Sequence, residues 1–254
     1  MSKDGSGQSF EVVNEGGTSS VVLICEHASA FIPDHFNHLG LPEKHRLSHV
    51  VWDPGAIGVA RHLSSKIDAA LVAGTVSRLV YDCNRPPDAP DAMPSRSELI
   101  DIPGNAQLSE EDRDQRVTAY YLPFRRAVAA QISKVATPII VTIHSFTPVY
   151  NGTRRSVEFG ILHDRDSRLA DAMLTCATDH THAKVERNQP YTAEHGVMHT
   201  LTEHATPYGH LNVMLEIRND LIATQADQIE IADMLAAWLQ NAIAQIKDEA
   251  ACQV

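Results

Sequence analysis

The signatures of several large enzyme classes are missing from these 254 residues. There is no G-x-S-x-G elbow, no G-x-x-x-x-G-K-[ST] loop, no G-x-G-x-x-G and no H-E-x-x-H. Serine hydrolases of the elbow type, P-loop nucleotide hydrolases and dinucleotide enzymes lose their usual support. Cysteine is scarce too. The four, at 25, 83, 176 and 252, form no C-x-x-C pair. Neither a disulfide framework nor a cysteine-based zinc site is expected. No apolar run reaches the roughly 18 residues that a bilayer span needs, and the opening MSKDGSGQSF is polar. A reducing, cytoplasmic setting is the expectation. Basic residues are outnumbered, 21 against 32 acidic ones, giving a net charge of −11. Such a surface repels nucleic acid and anionic membrane, so neither is an expected partner. A local arginine cluster can still reverse the field inside one pocket.

What is present is a chain long enough for one α/β domain and an excess of histidine, 14 in all. Residues 1–19, rich in Gly and Ser, read as a flexible arm before a single domain over 20–254. Val21 to Cys25 is a short β-branched run, the mark of a buried parallel strand. Pro138 to Ile143, Ser156 to Leu162 and Leu211 to Ile217 read the same way. Leu71 to Tyr81 reads as extended, with a break near Gly74. Helical spacing appears over 54–67, from Ser109 to about Lys134, over about 166–178 and over about 223–247. Pro86 to Pro103 holds five of the 13 prolines and reads as a surface loop. Strands alternating with helices predict a mostly parallel mixed sheet with helices on both faces. In open sheets of this kind ligands bind outside the carboxyl ends of the strands. Three core strands end there in Glu26-His27, His144-Ser145 and Glu216-Ile217-Arg218.

Two histidine groups compete as a metal site. One is local: His195, His199 and Glu203, spaced by four, share a helix face if a helix forms. The other is distributed: His27, Asp53 and His144, whose two imidazoles and one carboxylate suit zinc and leave a fourth position for water. Zinc brings the pKa of such a water to about 7, and Glu216 can serve as general base and return the proton to a leaving amine. Asp53 has a competing reading as the N-cap of the helix that Pro54 opens. Arg78, Asn84 and Arg85 either recognise an anionic substrate or form surface salt bridges. Arg218 lies two residues after Glu216. It therefore shares its face, as a carboxylate anchor or a structural partner.

Several segments together resemble the N-formylglutamate amidohydrolase family. They are Glu26 to Ser29, Trp52 to Ala56, Ser77 to Pro86, Ile143 to Pro148, Asn188 to Tyr191 and Leu215 to Leu221, spread over about residues 20 to 222. The resemblance implies a fold related to zinc exopeptidases and to acylamino-acid deacylases such as aspartoacylase. It implies His27 and His144 as ligands to zinc or another divalent metal, with Glu216 as the base. Arg78 would then polarise the scissile carbonyl, and Asn84 and Arg85 would grip the substrate carboxylate. Asn188, Tyr191 and His204 fall at further substrate-contact positions. The wider group uses H-x-x-E, whereas Ala30 stands three residues after His27, so the third ligand comes from Asp53 or, as the alternative, Glu26. The deformylases of histidine breakdown carry His-Ser-Gly where this chain has His27-Ala28-Ser29, which marks a divergent branch. The expected activity is hydrolysis of the amide of a small acidic N-acyl amino acid, N-formyl-L-glutamate or a relative. A peptidase on the same scaffold and a non-catalytic metal or ligand binder are the rivals. The oligomeric state is open, a homo-oligomer included.

Overall fold

Residues 8–192 and 196–252 are described by the computed structural model. The four apolar runs do form strands. Around them the chain order is β1 (Phe10–Val13), β2 (Val21–Cys25), α1 (Ala56–Ile67), β3 (Ala70–Gly74), β4 (Arg96–Ser97), β5 (Ile100–Asp101), α2 (Glu110–Arg116) and α3 (Leu122–Ile132). Then come β6 (Ile139–Phe146), β7 (Val149–Tyr150), β8 (Thr153–Arg154), β9 (Phe159–Leu162), α4 (Arg168–Thr175), α5 (Ala177–His180) and β10 (Val185–Arg187). The chain closes with α6 (His199–His204), β11 (Asn212–Arg218) and α7 (Gln225–Cys252). Seven strands make one sheet in the order β1-β3-β2-β6-β11-β9-β10. Its four central strands, β3, β2, β6 and β11, run parallel, while β1 and β9 run antiparallel to their inner neighbours.

The period of two along each strand divides the core. Leu23, Ile143 and Leu215 point to one face, where α1, α4 and α7 cover them through Val59, Leu169 and Leu235. Ile24, Ile140 and Met214 point to the other, where α3 packs Phe124 and Val128. Both faces are therefore helix-covered, as the alternation of elements predicts.

Several expectations need correction. Phe10–Val13, expected within the flexible arm, is an edge strand, because its backbone pairs with β3 from Phe10↔Gly74 to Val13↔Leu71. The rest of that expectation, residues 1–7, lies outside the described residues. The run expected to be extended from Leu71 to Tyr81 does break at Gly74, as expected, but no strand resumes before Tyr81. A Cβ on Gly74 would stand 2.2 Å from the Glu26 carbonyl oxygen, so only glycine lets β3 close against the end of β2. The helix expected from Ser109 to Lys134 carries a π-turn at Val117–Tyr121. Pro123 just beyond it has no N–H for the carbonyl four residues back, and the wider turn absorbs that mismatch. Its amino end behaves as expected, with Ser109 and Asp112 forming a capping box. No described helix is long and apolar enough to cross a membrane.

Candidate active site

The central strands deliver their polar ends to one place. His144 and Glu216 are register partners on the adjacent parallel strands β6 and β11, so their side chains leave the same face side by side. Glu26 and His27 follow β2 directly, one strand away. Asp53 arrives from the β2–α1 connection. The capping reading of Asp53 does not hold. Gly55 occupies the N-cap position with φ +83, and no side chain caps α1. A Cβ on Gly55 would stand 2.5 Å from the Ile222 carbonyl oxygen, so glycine is needed for the tight turn. That turn leaves the Asp53 carboxylate facing inward.

There Asp53 Oδ2 lies 3.2 Å from His27 Nδ1 and 3.0 Å from His144 Nδ1. One ligand atom from each of the three buried residues falls within 4.8 Å of the others. The opposite ring nitrogens are also held by carboxylates. His27 Nε2 is 2.7 Å from Asp82 Oδ1, and His144 Nε2 is 3.1 Å from Glu26 Oε2. The second contact is close but poorly aligned, and neither atom makes a regular hydrogen bond. Arg78 donates to Asp82 Oδ2 at 2.7 Å and to Asp53 Oδ1 at 3.4 Å.

Ionisable groups are concentrated here, and each shifts the protonation of the others. Glu26, Asp53, Asp82 and Glu216 are all buried, and Arg78 pairs with two of them, Asp53 and Asp82. Burial and Arg78 oppose charge on His27, but Asp82 and Asp53 outweigh them and raise its pKa. Burial opposes charge on His144, yet Glu26 and Asp53 raise it well above its ordinary value. Burial works against the Asp53 carboxylate, while His27 and His144 hold it far below the usual range. Glu216 goes the other way. Burial lifts its pKa to about 7, helped by Asp53 and opposed by His144. Its Oε2 has no hydrogen-bond partner among the described residues.

These residues line a cavity of about 350 Å³, which Arg78, Asn84, Arg85 and Tyr191 also border. Asn84 Oδ1 accepts from Thr200 N at 3.0 Å and its Nδ2 donates to Val197 O at 2.6 Å, so its amide clamps the segment before α6. Arg85 donates through Nε to Asp91 and through Nη1 to the carbonyls of Asn84 and Gly196. Tyr191 accepts from Arg155 at 3.3 Å, and burial together with Glu216 raises its pKa to about 12.

Three expected contact residues are placed away from this cavity. Arg218 is buried, but Asp220 (2.7 Å) and Glu158 (3.2 Å) take its guanidinium. Asn188 sits at φ +49 beside a cis Gln189-Pro190 bond, and its Oδ1 accepts from His163 N at 2.9 Å. That is the left-handed turn asparagine tolerates. His204 closes α6, and its burial lowers its pKa to about 4. The rival local metal group does not assemble among the described residues. His195 lies outside them, His199 Nε2 meets the Tyr121 hydroxyl at 2.8 Å, and Glu203 is bonded to Arg125. The residue missed from sequence is Asp82. Its signal was its place in Asp82-Cys83-Asn84-Arg85, where the odd-even pattern of a strand gives no guidance because no strand forms.

Two buried histidines and a carboxylate, at the carboxyl edge of a mixed α/β sheet and beside an unpartnered glutamate, form a constellation suited to hydrolysis. The profile of the N-formylglutamate amidohydrolases matches residues 19–223. The chain belongs to that family, whose members are hydrolases of an amide bond. Among solved structures, gene product Atu2144 of Agrobacterium tumefaciens is similar at 51% identity and TM-score 0.93, covering 95% of this chain and 97% of that one. The N-formylglutamate amidohydrolase of Ralstonia eutropha JMP134 is similar at 18% identity and TM-score 0.59, covering 92% of this chain and 98% of that one. At that distance the likeness shows the shared fold. No curated protein matches the chain.

Proposed function

We propose that the chain is a metal-dependent hydrolase that cleaves the amide of an N-acyl amino acid of the N-formyl-L-glutamate type. The observation that carries this reading is the convergence of His27 Nδ1, His144 Nδ1 and Asp53 Oδ2 on one buried point. The donor set fits a divalent cation. Asp82 bonds His27 Nε2 and Glu26 lies 3.1 Å from His144 Nε2; with the protons on those nitrogens, each Nδ1 would aim a lone pair at Asp53. Two lone pairs against an anionic oxygen repel unless a cation lies among them, and buried carboxylates outnumber Arg78 around it. Nitrogen and carboxylate ligands with carboxylate-bonded outer nitrogens are the usual environment of zinc. A cation held by His27, Asp53 and His144 would supply Lewis acidity, polarising an amide carbonyl and acidifying water.

The chain's own groups do the rest. Glu216 Oε2, raised towards neutrality and free of partners, takes the proton from the attacking water and gives it to the leaving nitrogen. Arg78, fixed by Asp82, stabilises charge developing on the carbonyl oxygen. Arg85 and Tyr191 border the space for the amino-acid part. The test uses untagged protein, elemental analysis and N-formyl-L-glutamate. Bound divalent metal is expected, with turnover lost on chelation and regained on re-addition. Metal-free protein of full activity, or unchanged turnover in His144→Ala, would sink the mechanism.

A further inference from the structure

Four of the arginines at or near this end of the sheet already have carboxylate partners. Arg78 meets Asp82 at 2.7 Å, Arg85 meets Asp91 at 2.7 Å, Arg218 meets Asp220 at 2.7 Å, and Arg96 meets Asp101 at 3.7 Å. Arg155 differs. It follows the β7–β8 hairpin and is half-buried. Its guanidinium lies over three rings, 4.5 Å from the centroid of Tyr150, 5.0 Å from Tyr191 and 5.5 Å from Phe146. Nη1 donates to Thr147 O and to the Tyr191 hydroxyl, both at 3.3 Å. Among the described residues no carboxylate pairs with Arg155, and neither Nε nor Nη2 has a hydrogen-bond partner.

The surroundings give that cation a purpose. Tyr150 and Tyr191 line the reaction cavity, and the same two tyrosines line a second hollow of about 450 Å³ that Arg154 and Arg155 border. Its one lining carboxylate, Glu186, is already paired with Lys184 at 2.8 Å. The hollow is therefore a positive neighbour of an acidic cavity, and the two share Tyr150 and Tyr191 as lining. Stacking fixes the plane of the guanidinium, so a forked pair of donors is presented without loss of side-chain freedom on binding.

We propose that Arg155 anchors a second carboxylate of the substrate in this hollow, beyond Tyr150 and Tyr191, and so selects acidic N-acyl amino acids over neutral ones. The proposal rests on the hydrolytic reading above for its substrate, and it assigns the residue that reads the side chain. Arg85 borders the reaction cavity itself, so a dicarboxylate meets one arginine in each compartment.

Calorimetric binding of L-glutamate and of its neutral isostere L-glutamine, with the protein as purified, tests this without turnover. A charge-assisted fork predicts that the parent chain prefers glutamate by about 10- to 100-fold. Arg155→Gln should erase the preference while leaving glutamine binding in place, and Arg155→Lys should keep part of it. In turnover, Arg155→Gln should raise KM for N-formyl-L-glutamate with little change in kcat, and leave KM for N-formyl-L-glutamine alone. A parent chain without preference overturns the proposal whether or not the variants fold, and so does a preference that survives Arg155→Gln. An Arg155-dependent preference in a chain that hydrolyses no N-acyl amino acid would remove the catalytic reading and leave the anchor standing.

Discussion

The two faces of the central sheet use one backbone pattern for opposite ends. On the face under α1, α4 and α7, the side chains of β2, β6 and β11 are apolar up to Ser145 near the end of β6: Val21, Leu23 and Cys25, then Ile139, Val141 and Ile143, then Val213, Leu215 and Ile217. On the other face, apart from Asn212 at the start of β11, the strands turn from apolar to polar towards their carboxyl ends. Ile24 is followed two residues on by Glu26, Ile140 by Thr142 and His144, and Met214 by Glu216 and Arg218. Stability and chemistry are thus separated by one residue of register, and each can be attacked without the other. Hydrophobic burial on the first face is non-directional and tolerates exchange. The second face holds ionised groups out of water, which is favourable only when every neighbour is in place.

The largest expected effect is on the polar face. Glu216→Gln keeps the shape and removes the proton carrier. Steady-state kinetics on N-formyl-L-glutamate should show kcat lowered by about 10²- to 10⁴-fold, with metal content and thermal stability retained. A variant that turns over at the parent rate would reassign the base.

The apolar face should answer in the opposite currency. Leu239 in α7 is fully buried against the first face. Leu239→Ala should cost about 2–5 kcal/mol of stability by denaturant titration, while kcat per folded molecule stays constant. A matching loss of metal would show that the two faces are coupled after all.

A third expectation concerns pH and the metal-free protein. The folded pKa of Glu216, about 7, is raised above its ordinary 4.5 by burial. The folded state then binds the extra proton, so the stabilisation is complete below pH 4.5 and is lost as pH rises through about 7. The raised pKa values of His27 and His144 act in the same direction. Denaturant titrations across this window should show metal-free parent losing stability with rising pH. In Glu216→Gln that slope should shrink, by up to about 3 kcal/mol over the window. An unchanged slope would place the titration elsewhere.

How much of this was legible in sequence follows from range. The core strands, their faces and the pairing of His144 with Glu216 rest on a period of two within single short runs, and those were readable, whereas His27 is one residue out of phase with Glu26 and turns inward beyond the end of β2. The strand of Phe10–Val13 was not readable, because four residues acquire strand structure only by pairing with Ala70–Gly74 some 60 positions away. Nor was the antiparallel sense of β9, since a buried run looks the same in either direction. Arg218 shares the Glu216 face as the period requires, yet Glu158 and Asp220 capture it. Periodicity fixes which side a residue leaves, and partners from elsewhere decide what it does there. Asp53 needed Gly55 to be read as the turn that frees it from capping.

Asp82 carries the smallest predicted effect and tests how far the polar face depends on its outer ring of groups. Its Oδ1 meets His27 Nε2 at 2.7 Å and accepts from Asn84 N at 2.9 Å, and its Oδ2 accepts from Arg78 at 2.7 Å. Burial opposes its charge, while Arg78 and His27 hold its pKa well below the usual carboxylate range. In the proposed reading it keeps the His27 proton on Nε2 and leaves Nδ1 to a cation, in the manner of carboxylates behind metal-bound imidazoles. Asp82→Asn preserves the volume and removes the charge. Metal affinity, measured by competition with a chelator, should fall by about 10- to 100-fold, while the apolar face and its melting behaviour in the metal-free state stay close to the parent. A larger loss of stability than of metal affinity would make Asp82 a brace for Arg78 and the 82–85 turn. An affinity loss alone would show that one carboxylate, placed by a loop with no periodic signal, tunes a site of which only His144 lies on a strand.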